Sequence, residues 1–208
     1  MSHYLTRIKL NDSRRATWKI LNELEPLHAI VEKMFPSDDG GRILWRIDNT
    51  YEGNVLYVLS QEIPDATGVV EQFGWPRLPY EDQVRTVRMD KFFSGLEAGQ
   101  RFGFRVAINP VRYNGKTRKG TLVVGKRALD LITEKMEANG FSIASGALRQ
   151  ADESHRSLWK NGRRSTRVIT SFEGILTIED PEKALKALTC GIGRMKAYGA
   201  GLLTLAKI

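Results

Sequence analysis

Apolar positions along this chain alternate between two periods, and the switches mark out an order of elements. YLTRIKL opens with apolar and polar residues in turn, the period of a strand. Helical sequence follows over residues 13–35, interrupted at Pro26; after it Leu27, Ile30, Val31 and Met34 form one apolar stripe. RILWRIDN and NVLYVLSQEI alternate again and are joined across TYEG, which predicts a hairpin. A short helix is expected near residues 68–73, and QVRTVRMD reads as a further strand. The order is β-α-β-β-α-β, the ferredoxin-like unit.

The second half runs through the same order. RFGFRVAINPVRY reads as a strand, and GKRALDLITEKMEANGF as a helix with Ala128, Leu131, Ile132 and Met136 at helical spacing. SIASGALRQ and the stretch HRSLWKNGRRSTRVITSFEGILTIE come next. DPEKALKALTC is a helix with Asp180 as N-cap, Pro181 at the first position and Gly191 or Gly193 as the stop. GLLTLAKI is the last strand. The expected fold is therefore α+β: two tandem ferredoxin-like domains with antiparallel four-stranded sheets, residues 1–94 and 95–208, similar in element order but not in residue identity.

Charge changes the picture. Residues 1–97 hold 12 Lys+Arg against 15 Asp+Glu, a balance of −3; residues 98–208 hold 20 against 9, a balance of +11. Residues 98–129, 154–172 and 183–208 contain no acid at all. A solvated face mixes signs, so one-signed stretches point to a polyanion. The cations do not lie along one amphipathic helix, which favours nucleic acid over a membrane surface. No apolar run is long enough to span a bilayer and no signal peptide opens the chain, so a cytoplasmic protein is expected. With one cysteine and three histidines, no group has metal-ligand spacing; neither a structural metal nor a cofactor is expected.

Several residues then become candidates for chemistry. Phe102, Phe104, Val106 and Ile108 share one strand face and read as core; Arg101 and Arg105 lie opposite, as RNA candidates. In WKNGRRSTR, Asn161-Gly162 is a strong turn signal that sets Lys160 and Arg163 beside a hairpin tip, with Arg164 and Arg167 down the return strand. Such a basic finger tracks phosphates, although an ordinary solvated hairpin has the same pattern. Near the end, Gly191, Gly193, Gly199 and Gly201 frame Arg194 and Lys196. Glycines bring backbone N–H groups close to an anion, but a helix-to-strand turn needs them equally. Nucleotide loops of known type run strand, loop, helix; this one runs helix, loop, strand.

His28 sits about 100° from Leu27, at the edge of the apolar stripe. Taken alone it reads more readily as a boundary residue than as a catalyst. In a basic chain suited to RNA it acquires another meaning. RNA carries its own nucleophile, the 2′-OH, and an imidazole can remove that proton or protonate the leaving 5′-oxygen. Lys33 is the nearest following cation, but five residues turn a helix by about 140°, so spacing alone reads it as a surface lysine.

YLTRIKL, LHAIVEKMFP, FEGILTIED and GIGRMKAYGAGLLTLAKI together resemble the CasE/Cse-type CRISPR RNA endoribonucleases of type I-E systems, within the repeat-associated RNA-binding proteins. The terminal glycine pattern is the most specific part of the resemblance, which takes in both ends of the chain. It implies a metal-independent enzyme that binds the repeat hairpin of precursor CRISPR RNA and cuts at its 3′ base by 2′-OH attack. The products would be a 2′,3′-cyclic phosphate or 3′-phosphate and a 5′-OH. The enzyme would then stay bound as a subunit of Cascade, with the other Cascade subunits as partners. It implies His28 as the catalytic histidine, Lys33 as a helper, residues 157–167 as the stem-binding hairpin, and RNA contact by the glycine-rich loop. Members of this family often carry a tyrosine three residues before the histidine. This chain has Glu25 there, so Glu25 is a candidate base or merely a cap, and acid and base stay unassigned.

Overall fold

The computed structural model describes residues 2–36, 41–117, 119–160 and 162–208, apart from the side chains of Ser145 and Lys160. Two four-stranded antiparallel sheets form the frame. The first comprises β1 (Tyr4–Lys9), β2 (Leu44–Thr50), β3 (Gly53–Ser60) and β4 (Val84–Arg88), in the order β2-β3-β1-β4. The second comprises β5 (Arg101–Ile108), β8 (Phe141–Lys160), β9 (Arg163–Ile178) and β10 (Leu203–Ala206), in the order β10-β5-β9-β8. Ranked within its own half, each sheet reads 4-1-3-2, so both are ferredoxin-like. The short hairpin of β6 (Val111–Tyr113) and β7 (Gly120–Leu122) stands apart from both sheets. The hydrophobic pattern had run β6 into the preceding strand, because Pro110 breaks the ladder without interrupting the apolar residues.

Helices cover one face of each sheet. In the first half these are α1 (Arg15–Leu21), α2 (Leu24–Glu32), α3 (Thr67–Phe73) and α4 (Tyr80–Gln83); α5 (Asp90–Ser94) leads into the second half. There α6 (Lys126–Ala138) and α7 (Pro181–Cys190) do the same work. Asp180 caps α7 by accepting the Lys183 N–H at 3.1 Å, with Pro181 following it. The break expected at Pro26 falls instead at residues 22–23. Pro26 is the third residue of α2, where its missing N–H has no intrahelical acceptor to lose.

The two halves are joined by a continuous core and a polar clamp. Leu44 and Leu59 of the first sheet, and Phe93 of α5, pack in the same cluster as Phe102, Phe104, Val106 and Phe172 of the second. Arg46, 2% exposed, chelates Asp48 at 2.7 and 2.8 Å. It also donates to the carbonyls of Arg105 and Leu202, each at 2.8 Å, and to Thr204 Oγ1 at 3.0 Å. A guanidinium has five donors, and here they staple β2 to β5 and to the approach to β10. Removing such a buried ion while its carboxylate stays costs more than the pair itself contributes, so this seam is held against opening.

Candidate active site and nucleic-acid interface

The stripe of α2 turns Leu24, Leu27, Val31 and Met34 into the core, each at 3% exposure or less. His28 stands at its edge, half-buried, with Nε2 3.1 Å from Glu32 Oε1 one turn further on. Its ring meets the ring of Tyr198 edge to face, with centroids 5.5 Å apart and planes at 61°. A carboxylate on one side and an aromatic on the other fix the imidazole in one orientation and leave Nδ1 unengaged by Glu32.

Tyr198 arrives from the far end of the chain on the glycine-rich loop. Between α7 and β10 the loop folds into one short 3-10 turn, Lys196–Tyr198, entered through Met195 in the left-handed region (φ 62°). Its base is closed by Ile192 N–H to Gly201 O at 2.8 Å, and Gly201 N–H ties it to Ala107 O on β5 at 2.6 Å. Trp45 of the first sheet donates from Nε1 to Ala197 O at 3.1 Å. Gly199 has φ +78°, and a Cβ there would lie 2.5 Å from the Trp45 ring. The loop can therefore sit on the first domain only with glycine at that position. Of the four glycines, Gly191 ends α7 and packs against Leu44, and Gly193 lines a trough described below.

Two hollows meet at this loop. One, of about 400 Å³, is lined by His28, Glu32, Arg42, Trp45, Lys196 and Ala197 among others. The other, a trough of about 930 Å³, is lined by Arg42, Tyr113, Arg167, Arg194, Lys196 and Tyr198 among others. Arg42, Lys196 and Ala197 border both, so the trough and the hollow of the histidine adjoin at these residues. Arg194 lies over the Tyr113 ring at 4.3 Å, a flat cation–aromatic pair of the kind on which a base can stack. The pKa of Lys196 is lowered, first by burial and then by the positive charge of Arg42.

Other expected residues fall elsewhere. Lys33 is exposed and lines a separate cavity with Ile30, Asp65 and Gln72; the structure does not bring it to His28, and the turn of the helix is the reason. Glu25 Oε2 accepts the Trp159 N–H of β8 at 3.1 Å, so this carboxylate is engaged in docking the hairpin. Ser157 N–H donates to Asn22 O at 2.9 Å beside it. The basic hairpin thus leans on the start of the helix that carries His28. Within it, Arg163 is exposed, Arg164 donates to Ser157 Oγ at 3.0 and 2.7 Å, and Arg167 borders the trough. The Lys160 side chain and Asn161 lie outside the described residues; Lys160 and Arg163 are cross-strand partners, and Gly162 between them has φ 71°.

Arg101 is exposed at the start of β5. Arg105 requires a correction. It faces away from the phenylalanines as expected, but into the domain seam, 3.4 Å from both Asp48 and Glu173. Its charge is compensated there, which weighs against its use in RNA contact. Neither acid adjoins Arg105 in sequence, so nothing in its own strand signals the pairing. Among the residues missed, Glu32 was readable as the i+4 neighbour of His28. Tyr198, Arg42 and Tyr113 had no such signal, since only the long-range docking of the loop and the β6–β7 hairpin gathers them.

Comparison with known proteins agrees with this architecture. The model of a family described as CRISPR associated protein matches residues 3–207. The CRISPR-associated endoribonuclease Cse3 of Thermus thermophilus is 27% identical over 98% of this chain and 99% of its own length. The Cascade subunit CasE of Escherichia coli is 24% identical over 89% of this chain and 93% of that protein. Thermus thermophilus Cse3 bound to an RNA representing a pre-cleavage complex superposes with a TM-score of 0.81 at 25% identity, over 99% of this chain and 100% of that one.

Proposed function

Because the chain belongs to the CRISPR-associated protein family, and to its CasE/Cse3 type, we infer that it is an endoribonuclease that processes precursor CRISPR RNA. It binds the repeat hairpin, cuts at its 3′ base, stays on the product and enters Cascade. It does so in the cytoplasm, where the transcript is. The observation that carries this reading is that His28, Lys196 and Arg42 line one hollow and that Lys196 and Arg42 also line the basic trough adjoining it. Such a trough receives a phosphate backbone and leads it past an imidazole.

The chemistry follows from RNA itself. The 2′-oxygen attacks the adjacent phosphorus, a base takes the 2′ proton, and an acid protonates the departing 5′-oxygen. His28, held by Glu32 and Tyr198, performs one of these proton transfers. Glu25 acts at one remove, holding the basic hairpin against α2.

The test is cleavage of a labelled repeat RNA by the purified protein in EDTA. One cut at the 3′ base of the stem is expected, at the same rate as without chelator, with a 2′,3′-cyclic phosphate or 3′-phosphate end. Binding without cutting would leave a non-catalytic RNA-binding subunit instead. The hairpin makes a second prediction. Replacing Lys160, Arg163 and Arg164 together by alanine weakens binding, and each lost phosphate contact lowers the log–log salt slope by about 0.7–0.9. A triple variant with unchanged affinity and slope would take the hairpin out of the interface.

A further inference from the structure

Lys196 combines several properties. It borders the hollow of His28 and is not on the exposed hairpin. Its stem lies against Gly201, where an added Cβ would come within 3.1 Å of Lys196 Cγ; the glycine leaves room for the lysine to run along the loop. The turn that carries it is pinned at Ala197 to Trp45 and entered through a left-handed residue, so its backbone has little freedom. Among the described residues no carboxylate forms an ion pair with it, unlike Lys9 or Lys183, which have Glu52 and Asp180. A half-buried lysine with no carboxylate partner, lining the same hollow as an imidazole, is suited to receive an anion.

We propose that Lys196 is a catalytic residue of this nuclease: its ammonium contacts a non-bridging oxygen of the scissile phosphate and stabilises the negative charge that builds there during 2′-OH attack. This rests on the reading of His28 as the proton-transfer group. In the step, the 2′-oxygen–phosphorus bond forms and the phosphorus–5′-oxygen bond breaks. The 2′ proton goes to a base and the 5′-oxygen gains one from an acid. Lys196 keeps its own three protons throughout and supplies only charge and hydrogen bonds. Burial and then Arg42 lower its pKa, with Cys190 acting in the opposite sense; the cation role needs the protonated form, which prevails below that pKa. Lys196 reaches this role from the glycine-rich loop, whereas Lys33 lines a separate cavity.

Single-turnover cleavage and filter binding on Lys196→Ala and Lys196→Arg provide the test, with His28→Ala alongside. Lys196→Ala is expected to cut about 10²–10³-fold more slowly, with affinity within about threefold of the parent. Cleavage by the parent should fall at alkaline pH, below the ordinary lysine range, as the ammonium is lost. Lys196→Arg, which keeps its charge, should recover part of the rate and move that alkaline fall upward. A purely structural lysine would not move the pH profile. If His28→Ala is inactive while Lys196→Ala cuts at the parent rate, or loses only affinity, the proposal is overturned and the His28 reading stands. If His28→Ala cuts normally, the His28 reading fails and takes this proposal with it.

Discussion

A repeat RNA with one 2′-deoxy sugar immediately upstream of the scissile phosphate is bound as tightly as the all-ribose RNA and is not cut. The change removes one oxygen and leaves the stem and its phosphates intact, so the contacts of the basic hairpin and trough persist. What disappears is the nucleophile. The lone cysteine, Cys190, is exposed at the end of α7, and its sulfur is 3.9 Å from the Thr189 hydroxyl. It does not line the hollow of His28. Gel-shift titration and a cleavage time course on the two RNAs decide the matter. An appreciable rate on the deoxy substrate would mean that water or the protein attacks phosphorus, and the mechanism argued above would fall even with the family assignment intact.

Replacing His28 by alanine is the second large effect. Loss of a general acid or base costs about 10²–10⁴ in rate. The fold should tolerate the change, because the imidazole is a boundary side chain with 31% exposure and the core stripe of α2 does not include it. Affinity should hold for the same reason as in the deoxy experiment: the long basic surface lies on β8, β9 and the loop, not on α2. Single-turnover kinetics and binding on one preparation separate the two quantities. Parental cleavage by His28→Ala would remove His28 from the mechanism.

The local signals in the chain were sufficient for most of the architecture. Alternation predicted β1, β2, β3 and β4 within a few residues, and the Asp180-Pro181 cap predicted the start of α7. Both are short-range effects: a pleated strand puts alternate side chains on one face, and a cap bonds a backbone group three residues away. The position of His28 at the edge of its stripe was likewise readable, because helical geometry depends only on spacing. Charge asymmetry pointed to a polyanion without saying which surface would bind it.

What composes the site was decided elsewhere. Arg105 looked like a free cation in sequence because its partners come from other strands: Glu173 lies opposite it on β9, and Asp48 is brought to it by the docking of the two sheets. Nothing around Glu25 in sequence signalled that the Trp159 N–H of the hairpin would reach its carboxylate. Lys196 and Tyr198 stand about 170 positions from His28 in sequence, and no periodicity links them. They meet because Trp45 provides a ring and an indole N–H on which the glycine-rich loop settles, and because Gly199 has no Cβ to hold it off. The sequence by itself determined the elements, their order and the edge on which the histidine sits, since each depends on neighbours a few residues away. Only the tertiary structure decided which charges are neutralised in the domain seam and which lysine lines the hollow of the imidazole, since those depend on packing between residues that the chain keeps far apart.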